Sequence, residues 1–152
     1  MIEEKNIGLE EARKIIDSML EYTTVKKPGD PMAHAVVDNS GVLVCFARMD
    51  KTCPIIRRMA ENKAYTAIMW RKNTREIFDA RNTDPNMKIE CFGEPDRQAV
   101  VPGGNLLKTV DGYIVGAVAS SGRHFDDDEE VALIGVKTFE QLQRRSGSKT
   151  KD

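Results

Sequence analysis

The sequence predicts a single α+β domain, an antiparallel sheet with helices packed against it. Two apolar segments, 33–38 and 42–49, flank the turn residues Asp38-Asn39-Ser40-Gly41, and a second such pair, within 104–120, flanks Asp111-Gly112. Helical spacing covers 9–25, 54–72, 74–80 and 126–144, so strands come as hairpins rather than alternating with crossover helices. The 152 residues suffice for one domain with its own core, placed at residues 1–145, followed by a tail at 146–152 expected to be disordered.

In the first helix Leu9, Ala12, Ile15, Ile16, Met19 and Leu20 form a stripe, opposite Glu10, Arg13, Lys14, Asp17 and Glu21. Lys26-Lys-Pro-Gly-Asp-Pro31 stops it, because prolines remove backbone donors. The first hairpin follows. Its second strand is apolar on both faces, which predicts a sheet covered on both sides or lying at a subunit contact.

Pro54 opens the central helix. Its stripe of Ile56, Met59, Ala60, Ala64, Ala67 and Trp70 is small in the middle and predicts close packing. A short helix follows with Thr74 as candidate cap. Residues 82–100 carry turn clusters around a candidate strand at 88–92. The closing hairpin is expected to turn through a two-residue primed turn at Asp111-Gly112. Gly103, Gly104 and Gly116 mark places where backbone or ligand approaches closely. The last helix begins with Asp126, Asp127, Asp128 and Glu129, where the helix dipole favours anions, and buries Val131, Ile134, Phe139 and Leu142.

Composition narrows the function classes. Apolar residues at 40% and charged residues at 31% describe an ordinary soluble globular chain. Lys+Arg of 23 against Asp+Glu of 24 argues against a nucleic-acid binder with a basic face. Cys45, Cys53 and Cys91 show no Cys-x-x-Cys spacing and read as reduced thiols. The first twenty residues hold Glu3, Glu4, Glu10 and Glu11 and no apolar h-region, and no run approaches transmembrane length. A cytoplasmic location without a membrane partner is therefore expected.

Three stretches together resemble the GlcG/HbpS-like family, also known as the heme-degrading-domain or DUF336 family, which includes the C-terminal domain of PduO-type corrinoid adenosyltransferases. They are Ala35-Val-Val-Asp-Asn-Ser-Gly-Val-Leu-Val44 with Phe46-Ala-Arg-Met-Asp50, Asn62-Lys-Ala-Tyr-Thr-Ala67, and Pro102-Gly-Gly104 with Asp111-Gly-Tyr-Ile-Val-Gly-Ala-Val-Ala-Ser-Ser-Gly122. With the helices between them they span most of residues 9–142. The resemblance implies a profilin-like or PAS-like antiparallel sheet with flanking helices. It also implies a homo-oligomer, from dimer to octamer, and a heme or corrinoid as cofactor. The chain departs from the family pattern at Ala119-Ser120-Ser121, and at Asn105 and Leu106 after the glycine pair. The PduO-type heme-ligating His lies on the first helix, and no His occurs here before His34.

The candidate ligand-binding residues are Arg48, Lys63, Thr66, Gly103, Gly104 and His124, around a pocket expected between the 54–72 helix and the 104–120 hairpin. Lys63 and Arg48 would hold a carboxylate such as a heme propionate. His124 would serve as an axial ligand if aimed into an apolar slot, and otherwise is a polar loop residue. His34 reads as a packed or interface histidine. The run Asp126–Glu129 does not converge around a helix, so no metal site is assigned to it. The alternative reading is a catabolic isomerase, hydratase or hydrolase of an organic acid. It would use Lys63 and Arg48 as anion clamp and Glu61 or His124 as acid/base, with Cys91 a further candidate.

Overall fold

The computed structural model describes residues 4–87 and 94–148. Helix α1 (Leu9–Glu21) buries Ala12, Ile15, Ile16 and Met19, as its stripe requires, and the Glu11 carboxylate accepts the Gly8 N–H at 3.1 Å to begin it. It runs on into a π-helical turn, Tyr22–Lys26, closed by Lys27 N–H donating to the Tyr22 carbonyl at 2.7 Å. Strands β1 (Ala33–Asp38) and β2 (Leu43–Arg48) form the first hairpin. Helices α2 (Pro54–Trp70) and α3 (Thr74–Thr83) precede the second, β3 (Gly104–Lys108) and β4 (Ile114–Ser121), and α4 (Phe125–Ser148) closes the chain. The antiparallel sheet has the order β2-β1-β4-β3.

The sheet separates two apolar layers. On one face α1 and α4 bury Ile15, Met19, Val36, Val118, Leu107 and Phe139. On the other, Ala64, Ala67 and Ile68 of α2 meet Val37, Leu106, Ala117 and Ala119. The small residues in α2 bring its backbone against the sheet, as the sequence predicts. Strand β2 lies at an edge and is only partly covered, with Leu43 44% exposed.

Local chemistry departs from the sequence reading in several places. The closing hairpin turns through three residues instead of two. Gly112 N–H donates to the Thr109 carbonyl, Thr109 N–H donates to the Tyr113 carbonyl, and Gly112 sits at φ +88. A turn followed by a left-handed glycine uses the same Asp-Gly pair as the primed turn. A bulge between Leu107 and Lys108 follows, and Gly116 beside it is needed because a Cβ there would lie 2.3 Å from the Val37 carbonyl oxygen. Asn73, not Thr74, is the N-cap residue of α3, and its N–H is held by Glu76 at 2.9 Å. Helix α4 continues past Arg144 to Ser148, so the first residues of the expected tail form its last turn. The candidate strand at 88–92, with Cys91, lies outside the described residues. No described helix is long and apolar enough to cross a membrane.

Candidate functional site

The space expected between α2 and the closing hairpin is filled. A Cβ on Gly104 would stand 2.4 Å from the Lys63 carbonyl oxygen. One on Gly103, at φ +123, would stand 2.8 Å from the Ser120 carbonyl oxygen and 3.1 Å from Lys63 Nζ. The two glycines thus allow helix and sheet backbones to touch, and they leave no room there for a guest.

Lys63 is among the largest fully buried side chains of the described residues, 1% exposed. The helical stripe places it at the boundary of the apolar face, but the sheet on one side and residues 98–100 on the other enclose α2 more widely than one stripe. Its Nζ donates to Asp128 Oδ2 at 2.7 Å and to the Ser120 carbonyl at 3.2 Å. Asp128 Oδ1 accepts the Arg123 N–H at 2.9 Å. Burial pulls the Lys63 ammonium below its ordinary range and pushes the Asp128 carboxyl above its own, while their mutual attraction opposes both shifts. Such a sealed pair has no access to substrate. It fastens α4 to α2 and the sheet.

The remaining acids at the start of α4 diverge. Asp126 and Glu129 pair with Arg75 of α3. Asp127 and Glu130 both hold Lys27, at 3.0 and 2.5 Å, and raise its pKa; Glu130 also accepts the Tyr22 hydroxyl at 2.5 Å. One acidic turn therefore ties together the π-helical turn, α2 and α3.

His34 is fully buried, bridging Ser120 Oγ through Nδ1 at 2.8 Å and Thr23 Oγ1 through Nε2 at 3.4 Å. Thr23 Oγ1 donates onward to the Met19 carbonyl at 2.9 Å, which leaves the hydroxyl to accept from a neutral imidazole protonated at Nε2. Desolvation, helped by the Arg123 charge, lowers the His34 pKa to about 4. Arg123 itself caps the loop after the π-helical turn, donating to the carbonyls of Thr23, Lys27 and Asp30.

Of the described residues singled out from sequence, only Lys63, Gly103 and Gly104 come together. His124 is 60% exposed, its ring stacked on Phe125 at 4.2 Å. Arg48 is exposed at the end of β2. Thr66 is buried, donating to the Asn62 carbonyl at 2.7 Å and accepting the Ala99 N–H at 2.9 Å. Glu61 pairs with Arg57 at 3.3 Å. Lys63 is sealed against Asp128, Glu61 pairs with Arg57, and Arg48 and His124 are exposed, so the clamp and acid/base of the catabolic-enzyme alternative do not assemble among the described residues.

A groove of about 420 Å³ opens instead on the far side of α2, between that helix and the β1–β2 turn. Val37, Val42, Leu43 and Met69 supply apolar wall, with Glu61, Tyr65 and Arg97 among the polar lining. Gly41 at φ +82 lets the turn approach Tyr65, whose ring a Cβ would meet at 2.9 Å. The Arg97 guanidinium lies 3.9 Å above the Tyr65 ring centroid. The Tyr65 hydroxyl donates to the Glu94 carboxylate, and that bond raises its pKa. Asn62 Nδ2 donates to the Asp96 carbonyl at 3.2 Å, further binding this segment to α2. Arg97 falls in the stretch with no legible periodicity, so no sequence signal pointed to it. Tyr65 stands in the motif Asn62–Ala67, of which the sequence reading assigns Lys63 and Thr66 to binding.

The model of the family described as haem degrading protein HbpS-like matches residues 7–137. An uncharacterized 15.0 kDa protein from the dhaT-dhaS intergenic region of Citrobacter freundii is 32% identical over 113 residues, 74% of this chain and 78% of that protein. The crystal structure of Klebsiella pneumoniae ORFY, a DUF336 protein, superposes with a TM-score of 0.80 at 22% identity, covering 91% of this chain and 94% of the other. The PduOC:heme complex superposes with a TM-score of 0.76 at 19% identity, covering 88% and 94%.

Proposed function

This chain belongs to the haem degrading protein HbpS-like family, and from that premise we propose that it binds a flat, carboxylate-bearing tetrapyrrole of the haem class as a cytoplasmic homo-oligomer. The observation that carries the reading is the groove beside α2. Val42, Leu43 and Met69 give it an apolar side that suits a flat macrocycle, and Arg97 on its polar side would exchange an exposed pairing with Glu94 at 3.4 Å for a propionate. The heme held by the structurally similar PduOC domain supports the same ligand class, in which a corrinoid is the second candidate.

The residues present fit the guest in part. Walls and cation are in place, and Met69 and Tyr65 are the soft and phenolic donors on the lining. Imidazole is not offered, since neither His34 nor His124 lines the groove. The assigned role is holding the ligand, with Arg97 orienting its carboxylate.

Titration with hemin should give a saturable Soret shift. Arg97→Ala should weaken binding about tenfold, the size expected for one charge-assisted hydrogen bond. A featureless linear rise, or an affinity indifferent to Arg97, would reject the site.

A further inference from the structure

We propose that two copies of this chain join through the outer edge of β2, antiparallel about a two-fold axis close to Cys45, so that their sheets become continuous. The two edges of the sheet differ. Along β3, the Leu106 N–H donates to Asn73 Oδ1 and the Gly104 N–H to Thr74 Oγ1, both at 2.9 Å, so the start of α3 closes that edge. Along β2, no other described element does the same, and the Phe46 backbone reaches only the Cys45 thiol beside it. Met49 N–H donates to the Met32 carbonyl, and the register pairs Ala35 with Phe46 and Ala33 with Arg48. That alternation turns the backbone groups of Phe46 and Arg48 away from β1.

The edge also lacks the usual guards. Leu-Val-Cys-Phe-Ala-Arg has neither Lys nor Pro, and its one charge stands at the end. Leu43 within it and Val42 just before it are exposed.

Charge identifies the occupant as a second copy. Arg13 and Asp17 of α1 are exposed one turn apart on a helix that packs over β2, and both charges are close enough to act on the half-buried Cys45 thiol. A two-fold rotation there sets each Arg13 against the partner's Asp17. Opposite charges on one helix then become complementary between two. Helix α1 packs over β1 and β2, so α1 and its symmetry mate would run roughly two strand spacings apart, about 10 Å, which is an ordinary helix-packing distance. The same rotation sets the partner's Arg48 across from Val42 on the groove wall. This last step rests on the haem-class reading, and gives the groove a second cation for a second carboxylate.

Sedimentation equilibrium without ligand tests the interface. The wild-type chain should dimerise, and Asp17→Arg should raise the dimer dissociation constant at least tenfold, with Arg13→Asp added in the same chain restoring it. With Cys53 and Cys91 replaced by Ser, mild oxidation should cross-link Cys45 to its copy. A monomer at every concentration, or a dimer that ignores Asp17→Arg and gives no Cys45 cross-link, would overturn the proposal. Arg48→Ala should leave assembly intact and weaken hemin binding about tenfold. Unchanged hemin affinity in that variant would remove Arg48 from the site, whereas an intact dimer with no saturable hemin binding would sink the groove reading alone.

Discussion

Replacing Lys63 with Met is expected to destabilise the fold by about 3–5 kcal/mol, because it leaves the Asp128 carboxylate buried without its cation. Asp128 would retain the backbone donors of Arg123 and Gly122, but neutral donors do not replace an ammonium at 2.7 Å. The single variant should therefore lower the urea midpoint strongly with little change in slope. The double variant Lys63→Met, Asp128→Leu removes both charges and should recover most of the loss, since an apolar pair of similar volume carries no desolvation penalty. A double variant no more stable than the single one would show that the pair does more than neutralise itself. Gly103 and Gly104 must stay in both, because they give Lys63 and its carbonyl the room they occupy.

The second large effect is acid-sensitive stability centred on His34. Its folded pKa is lowered to about 4 from an unfolded value of 6.5, so the folded chain prefers the neutral ring. Above pH 6.5 both states are neutral and the group contributes its full stability. As pH falls towards 4 the unfolded chain takes up a proton that the folded chain refuses, and stability declines by about 3 kcal/mol across that window. Asp111, Asp127 and Glu130, whose pKa values are lowered by their cations and hydrogen bonds, add losses at more acidic pH. Subtracting the profile of His34→Gln isolates the imidazole. The difference should have its slope between pH 6.5 and 4, and a flat difference would mean that the ring is protonated without cost. Loosening should begin at the π-helical turn, because Thr23 and Arg123 both anchor there, and amide exchange at residues 22–27 reads that directly.

Much of the architecture was legible in local chemistry. Asp-Gly located the closing turn, but the choice between a two-residue and a three-residue loop depended on the Leu107/Lys108 bulge, which pairing with β4 creates. The stripe in α1 matches the covered face at Ala12, Ile15, Ile16 and Met19, while Leu9 at its start stays 58% exposed. The stripe in α2 understated burial because that helix is covered on more than one side, and periodicity reports faces, not the number of neighbours. Gly103 and Gly104 are points of close approach, as their lack of a side chain predicts. A bare Cα serves a helix backbone as well as it serves a ligand, and the sequence carries nothing that separates the two.

The sequence by itself determined the family, the α+β class, the hairpins and the close contact between α2 and the sheet. Hydrophobic period, turn residues and bare glycines act within a few residues of where they stand. Only the tertiary structure decided which charge meets which. Three adjacent aspartates look alike along the chain, yet Asp126 meets Arg75, Asp127 meets Lys27 and Asp128 meets buried Lys63. Side chains one residue apart on a helix point about 100° apart, so each faces a different element, and what those elements present is set by the packing of the whole domain.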